Sequence, residues 1–510
     1  MALARAACVA LLGVEGHLVE VEADLSAGLP GLALIGMPDA SLYEARDRVR
    51  AAVVNSGQPW PNQRITVGLF PAALPKSGTG FDVAVAAAVL AAQGQIPAAA
   101  LAGRVLLGEL ALDGRLRPLP GVLPAVITAA EAGFTSVVVP AENAPEASLV
   151  PGVVAEGVAS LRELVGLLRG ELELPDRRTS SRAPAADDGP GLDLADVAGQ
   201  ADGRLAMELA AAGGHHVLLM GPPGAGKTML AERLPGLLPL LDERDALEVT
   251  SVHSVAGVLP PGVGLVRRPP FRSPHHTTSM AALVGGGSRV IRPGAVSLAH
   301  RGVLFLDEAP EFSPRALDAL RQPLESGVVE VARAAGVARF PARFTMVLAA
   351  NPCPCGHATT RTHSQCTCPP AARQRYLHRM SGPLLDRVDV RLPVNRVSRA
   401  ELRDDLVHVE PTARVAERVG RARTAARRRL AGTPWTRNAD VPGPELRRCW
   451  PLPARDVREA DRAFEAGQLT ARGVDRVLRM AWTLADLTGR STPSASQVAT
   501  ALRLRLPVQQ

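Results

Sequence analysis

The sequence predicts an α/β fold in three parts, and three observations predict it. An apolar run up to Met220 ends in the glycine-rich turn Gly221-Pro222-Pro223-Gly224-Ala225-Gly226-Lys227-Thr228, and the residues from Met229 to Leu234 continue as a helix. A second apolar run, Val303 to Leu306, ends in two adjacent carboxylates, Asp307 and Glu308. Residues 1–170 alternate short strands with Ala-rich helices, whereas residues 396–510 read as helical segments separated by Pro-rich breaks. The expected organisation is therefore an α+β domain at 1–170, a polar linker at 171–190, an α/β core at 191–395 and a helical domain at 396–510.

Strand, glycine turn and helix opening on Lys-Thr form a phosphate-binding loop. Its successive N–H groups and the helix N-terminus favour phosphate, Lys227 reaches the outer phosphates, and Thr228 puts its hydroxyl on Mg²⁺. ATP and Mg²⁺ are the expected cofactors. Composition sharpens this reading: among 57 Lys+Arg there are two lysines, Lys76 and Lys227. Arg serves surface charge equally well, but the phosphate loop uses a compact ammonium.

With 510 residues the chain has room for about three domains of ~150 residues. A hydrophobic share of 46% with 3% aromatics supports cores built from Ala, Leu and Val. The net charge of +7 allows an anionic partner without identifying one. An apolar run at Ala6–Val14 resembles a minimal signal peptide, but GHLVEVEAD continues it as an alternating strand without a cleavage-like segment. No apolar stretch is long enough to span a membrane, so a cytoplasmic protein is expected.

In chain order, the N-terminal domain reads as a strand at HLVEVEADL, a helix at Asp39–Asn55 and a strand at Arg64–Phe70. A Pro/Gly loop, a helix at Phe81–Gln93, a strand at Val105–Leu112 and a further helix and strand ending at Val139 follow. PKSGTGFD at 75–82 and LLGELALDGRLRPLPG at 106–121 resemble the two signature stretches of the Lon-type protease domain. That resemblance places a Ser nucleophile where this chain has Gly80, and a Lys base where it has residues 122–125, VLPA. Without nucleophile or amine the Ser–Lys mechanism is unavailable, so a non-proteolytic Lon-like domain is expected. Ser77 as a displaced nucleophile has no base in view.

A phosphate loop needs an acid to hold Mg²⁺ and a base to activate water. Asp307 is the expected Mg²⁺ ligand and Glu308 the residue that polarises the attacking water. Arg343–Asn351 is another apolar strand ending in an amide. In AAA+ ATPases, which this pattern resembles, the strand beside the Asp-Glu strand carries such an Asn against the γ-phosphate; alone, Asn351 would be a turn residue before Pro352. Ser381–Asp389 resembles the segment that presents an arginine finger, Arg387, to a neighbouring subunit, and Arg472 resembles the second sensor arginine on a helical lid. Either arginine could instead cap or pair on a surface.

FRSPHHT at 271–277, the glycines 285–287, RPG at 292–294 and SLAHRG at 297–302 resemble the magnesium-chelatase-like AAA+ ATPases. With the Lon-like domain and NPCPCG at 351–356, the chain resembles the YifB/ComM branch over nearly its whole length outside the linker. The resemblance implies a homohexameric ATPase that drives branch migration of DNA in recombination and natural transformation, with branched or single-stranded DNA and recombination proteins as partners. Two insertions fit a DNA motor: residues 271–300, where related ring helicases carry pore loops, and a hairpin at 327–340 with Arg333 near its tip. An arginine there would bind phosphate backbone without reading bases, or be an ordinary surface arginine.

Cys353-Pro-Cys355 and Cys366-Thr-Cys368, with His357 and His363 between, suit tetrahedral Zn²⁺ in a structural site, or form a metal-free or redox-labile loop. Cys8 and Cys449 stand alone and are expected to pack. Two further functions stay open: a chelatase-type ATPase that remodels a protein partner, and an ATP-dependent protease, which Gly80 disfavours.

Overall fold

The structure is a computed structural model that describes residues 2–36, 40–76, 78–173, 191–260, 262, 264–287, 291–333, 336–358, 366–398 and 409–506. Ser77, His363 and most of the 171–190 linker lie outside the described residues.

The N-terminal part is built on a seven-stranded mixed sheet. Its strands are β1 (Ala2–Leu12), β2 (Glu15–Ser26), β3 (Gly31–Ile35), β4 (Arg64–Phe70), β5 (Arg104–Leu106), β6 (Ser136–Pro140) and β7 (Val154–Val158), in the order β3-β4-β2-β1-β5-β6-β7. The apolar run near the N-terminus is thus a strand, paired antiparallel with β2 along its whole length. Alternation in β2 turns Val19, Val21 and Ala23 into the core and leaves Glu22 outward, 2.8 Å from Arg5 on β1.

Helices α1 (Ala40–Asn55), α2 (Asp82–Ala92) and α3 (Val122–Glu131) complete this part. Every residue of α2 is buried, as a helix apolar on all sides requires. Its one charge, Asp82, is held by Arg48 at 2.9 and 3.0 Å and by the Leu110 N–H. The expected strand Val105–Leu112 ends instead at Leu106. Leu107 N–H bonds to Val138 and Gly108 N–H turns away to Gly80 O, where a Cβ on Gly108 would come within 2.6 Å of Val83. The rest of that stretch pairs, as Glu109–Leu110, with Leu116–Arg117.

The second part holds a five-stranded, wholly parallel sheet. Its strands are β8 (Val217–Met220), β9 (Phe271–Arg272), β10 (Val303–Leu306), β13 (Thr345–Ala350) and β14 (Val390–Pro393); an antiparallel hairpin, β11 (Val328–Arg333) and β12 (Gly336–Pro341), is inserted before β13. The sheet order is β9-β10-β13-β8-β14. Both faces are covered: Val217, Leu219, Phe305 and Val347 face one core, while Leu218, Leu304, Leu306 and Met346 face the other. Phe271 and Arg272, expected in an insertion, are the edge strand of this sheet, with Phe271 stacked on Phe305 at 6.0 Å.

Helices α4 (Ala201–Gly213) and α5 (Lys227–Leu237) pack on the sheet, and α6 (Glu243–Ala256) and α7 (Pro370–Leu377) belong to the same part. They are followed by α8 (Thr412–Arg429), α9 (Ala454–Glu465), α10 (Ala471–Leu487) and α11 (Ala495–Arg505). The C-terminal helices share one core with α4, α5 and the sheet. A polar bolt crosses that junction: buried Asp389 accepts from His216 N–H at 3.1 Å and pairs with Arg476 on α10. The N-terminal part docks on α6, where Gly121 N–H bonds to Ser254 O, and on the hairpin, where Gly13 bridges Arg339.

Candidate nucleotide site and cysteine cluster

The phosphate loop leaves β8, the strand flanked by β13 and β14, and ends at the first turn of α5. Gly221 is forced by packing, since a Cβ there would lie 2.0 Å from Val394 O, and its N–H bonds to Ala350 O. Gly224 and Gly226 take φ of +74° and +90°, which bend the chain around the space above α5. Pro222 and Pro223 stiffen the outer half of the loop, and Ala225 is buried under it.

Lys227 lies 8% exposed, with its ammonium donating to Gly221 O at 2.7 Å, Pro222 O at 3.0 Å and Asn351 Oδ1 at 3.1 Å. Burial lowers its pKa, and Asp307 and Glu308 act against that shift. Lys76, the other lysine, is likewise buried, and it donates to the carbonyls of Gly36, Leu69 and Pro71. Both lysines therefore sit where a compact ammonium meets converging oxygens, a setting that suits a point charge better than a planar fork.

Thr228 Oγ1 donates to Asp307 Oδ2 at 3.0 Å, which brings two hard oxygen donors together at the mouth of the loop. This donor pair fits Mg²⁺. Glu308 follows with φ of +50°, a left-handed conformation that a non-glycine residue keeps only where its surroundings impose it. Its N–H bonds to Asp307 Oδ1 at 2.9 Å, and its carboxylate stands half-exposed at 3.5 Å from His276 Nδ1. Asn351 ends β13, between the Asp-Glu strand and the phosphate-loop strand. Thus Lys227, Thr228, Asp307, Glu308 and Asn351 converge on one site.

Arg387 and Arg472 do not join it. Among the described residues neither makes a hydrogen bond or ion pair to the loop, Asp307 or Glu308. Arg387 donates to Pro383 O at 2.6 Å and pairs with Glu325. Its pKa is lowered by burial and then by the nearby charges of Arg321, Arg472 and Arg476. Arg472 is exposed at the start of α10.

Arg333 is exposed, and its Nε donates to Gly287 O at 3.3 Å. The hairpin thereby meets the short ribbon of Gly285–Gly286 with Arg292–Pro293.

The four cysteines converge as well. Their Sγ atoms lie within 4.8 Å of one another, with Cys353 at 3.3 Å from Cys355 and 3.5 Å from Cys366. Such a cluster can hold a metal ion. Of the two isolated cysteines Cys8 is buried, but Cys449 is exposed against Glu445 and does not pack.

Sequence models of three families match in succession: "Subunit ChlI of Mg-chelatase" at residues 21–143, "Magnesium chelatase, subunit ChlI" at 193–402 and its C-terminal region at 409–505. Competence protein ComM of Haemophilus influenzae is 41% identical over 100% of this chain and 98% of its own. Protein YifB of Escherichia coli is 42% identical over 94% of this chain and 92% of its own. The chain belongs to the YifB/ComM family of magnesium-chelatase-like AAA+ ATPases. An uncharacterised protein of Mycobacterium tuberculosis is 53% identical over 99% of both chains. Lon protease of Mycolicibacterium smegmatis matches in part, at 28% identity over 35% of this chain, in keeping with the Lon-like N-terminal domain. The family is one of ATPases that use ATP and Mg²⁺. Among the described residues no helix is long and apolar enough to cross a membrane.

His276 and Gln200 escaped the sequence reading. The His275-His276 pair was visible only as a family motif, without a role for either ring. Gln200, whose side chain donates to Ala225 O at 3.1 Å, carries no local signal.

Proposed function

We propose that this ATPase is a cytoplasmic, homohexameric DNA motor that drives branch migration during recombination, working with branched or single-stranded DNA and with recombination proteins. The observation that carries the DNA reading is the meeting of the two insertions, where Arg333 bonds to Gly287 and stands exposed together with Arg292. Six copies around a channel would give a sequence-blind phosphate track. Full-length similarity to a competence protein supports the same reading. Its division of labour is a Lon-like domain at 1–170, a linker at 171–190, the ATPase core at 191–395 and a helical lid at 396–510.

In this reading the loop 221–228 binds the phosphates of ATP, and Thr228 and Asp307 hold Mg²⁺. Bound Mg²⁺ neutralises charge on the phosphate oxygens. Lys227 moves its ammonium from the loop carbonyls to the outer phosphates, while Asn351, already its partner, orients the γ-phosphate side. Glu308 takes the proton of the attacking water. Arg387 and Arg472 act on the neighbouring subunit's nucleotide, because among the described residues neither bonds to its own loop, Asp307 or Glu308. The four cysteines hold Zn²⁺.

The ATPase rate with and without branched DNA, across a salt series, tests the proposal. Stimulation that fades with salt is expected; a rate indifferent to DNA would favour remodelling of a protein partner, as in a chelatase-type ATPase. Arg333→Ala should weaken DNA binding and lower the slope of log affinity against log salt by about 1. An unchanged slope would remove Arg333 from the DNA path. In mixed rings, Arg387→Ala subunits should silence an intact neighbouring site, with a loss of about 10³-fold for a finger that stabilises transition-state charge. Activity proportional to the wild-type subunits present would exclude the role in trans.

A further inference from the structure

The cysteine loop starts two residues beyond Asn351, and it lies on the phosphate loop. Gly356, within the Cys353–Cys366 span, is buried with φ of +76°, and a Cβ there would come within 2.7 Å of Pro223 Cδ and 2.8 Å of Pro223 Cγ. Its N–H closes a turn on Cys353 O at 3.0 Å, and Cys353 is itself fully buried. The far end of the loop is tied to α7, where Arg373 Nε donates to Cys368 O at 3.1 Å. Tyr376 on the same helix is buried beside Asn351, and burial pushes its phenol pKa up to about 12. The cluster thus joins the end of β13, the phosphate loop and α7.

The sulfur geometry is that of ligands rather than of disulfides. Cys353, Cys355 and Cys366 stand 3.3, 3.5 and 3.6 Å apart. A tetrahedral ion with metal–sulfur bonds of about 2.3 Å spaces its ligands by about 3.8 Å, whereas a disulfide needs about 2.05 Å.

We propose that the metal-bound cysteine loop is a clamp that positions Asn351 and the phosphate loop for hydrolysis, so that ATPase turnover depends on the state of these four thiolates. The proposal rests on the Zn²⁺ reading and deepens it. A displacement of about 1 Å in a group that orients the reacting phosphate costs about 10²-fold in rate, and releasing Cys353 frees the chain two residues from Asn351. The clamp also provides a response to peroxide. Each hydrogen peroxide takes two electrons from two thiolates, forming one S–S bond and two hydroxide ions. Two equivalents convert four thiolates to two disulfides, four hydroxide ions and a free metal ion.

The test uses the full chain in a Cys449→Ser background, which removes the exposed thiol outside the cluster. Metal content is measured by mass spectrometry, and Co²⁺ replacement is read from the visible absorption of a tetrahedral thiolate site. Hydrogen peroxide is then titrated while metal release, kcat, KM for ATP and ADP affinity are followed. One ion per chain is expected, with kcat falling at least about 10-fold in step with release, ADP affinity within about twofold, and recovery on reduction with added Zn²⁺. Gly356→Ala should keep the ion and the cobalt spectrum, since all four thiols remain, yet lower kcat, because its Cβ meets Pro223 and strains the turn at φ +76° between the cluster and the phosphate loop. Metal release without loss of kcat, or Gly356→Ala with wild-type kcat, would overturn the clamp while leaving the Zn²⁺ site standing. A chain that binds neither Zn²⁺ nor Co²⁺ would overturn both.

Discussion

Glu308→Gln is expected to leave a chain that binds ATP and turns it over at least about 10²-fold more slowly, the range lost when a positioned general base is removed. Gln keeps the size and the hydrogen-bonding reach of Glu but cannot accept the proton of water. Binding should survive because the groups that hold the nucleotide lie elsewhere: Lys227 on the loop, and the Thr228–Asp307 pair at 3.0 Å. The backbone should survive as well, since Glu308 is held by its own N–H on Asp307 rather than by its carboxylate. A fluorescent ATP analogue reads binding, and phosphate release reads turnover. Normal phosphate release by Glu308→Gln would remove Glu308 from the chemistry and leave His276, 3.5 Å away, as a neighbour without a task.

Lys227→Ala is expected to remove turnover by about 10²–10³-fold and to weaken nucleotide binding at the same time. The ammonium has three oxygen partners, and two of them are carbonyls of the loop itself. Alanine removes that cation, so the loop loses an internal tie as well as its phosphate contact. Lys227→Arg should fail in the same assay, because a buried site built of converging carbonyls accepts a compact ammonium and not a planar fork. Wild-type hydrolysis by either variant would overturn the assignment of this loop. A melting curve close to wild type for Lys227→Ala would separate loss of the site from loss of the fold.

These two residues were readable in the sequence because local chemistry decides them. Glycines that must take positive φ, an apolar strand before them and a lysine in an arginine-rich chain leave few other readings for Gly221–Thr228. Four buried residues followed by two carboxylates likewise place Asp307 and Glu308 at a strand end. The strand expected at Val105–Leu112 stops at Leu106 although the apolar pattern runs on through Gly108. Only the approach of Val83 and the bond to Gly80 show why the chain turns there. Phe271-Arg272 falls in the stretch between the phosphate loop and the Asp-Glu strand that is expected to be an insertion, yet the parallel pairing with Val303–Leu304 makes the two residues the sheet edge.

Phosphate loop, acidic strand end, paired cysteines and the order of domains are properties of short stretches, and short stretches of chain dictate them through backbone conformation and side-chain type. Contacts between stretches far apart in the chain are another matter. The Asn351–Lys227 bond, the meeting of Arg333 with Gly287, the Gly356–Pro223 contact and the pairing of Arg387 with Glu325 depend on the order in which the fold sets its elements side by side. Side-chain packing across the two buried faces sets that order, and packing is a property of the assembled chain rather than of any one segment.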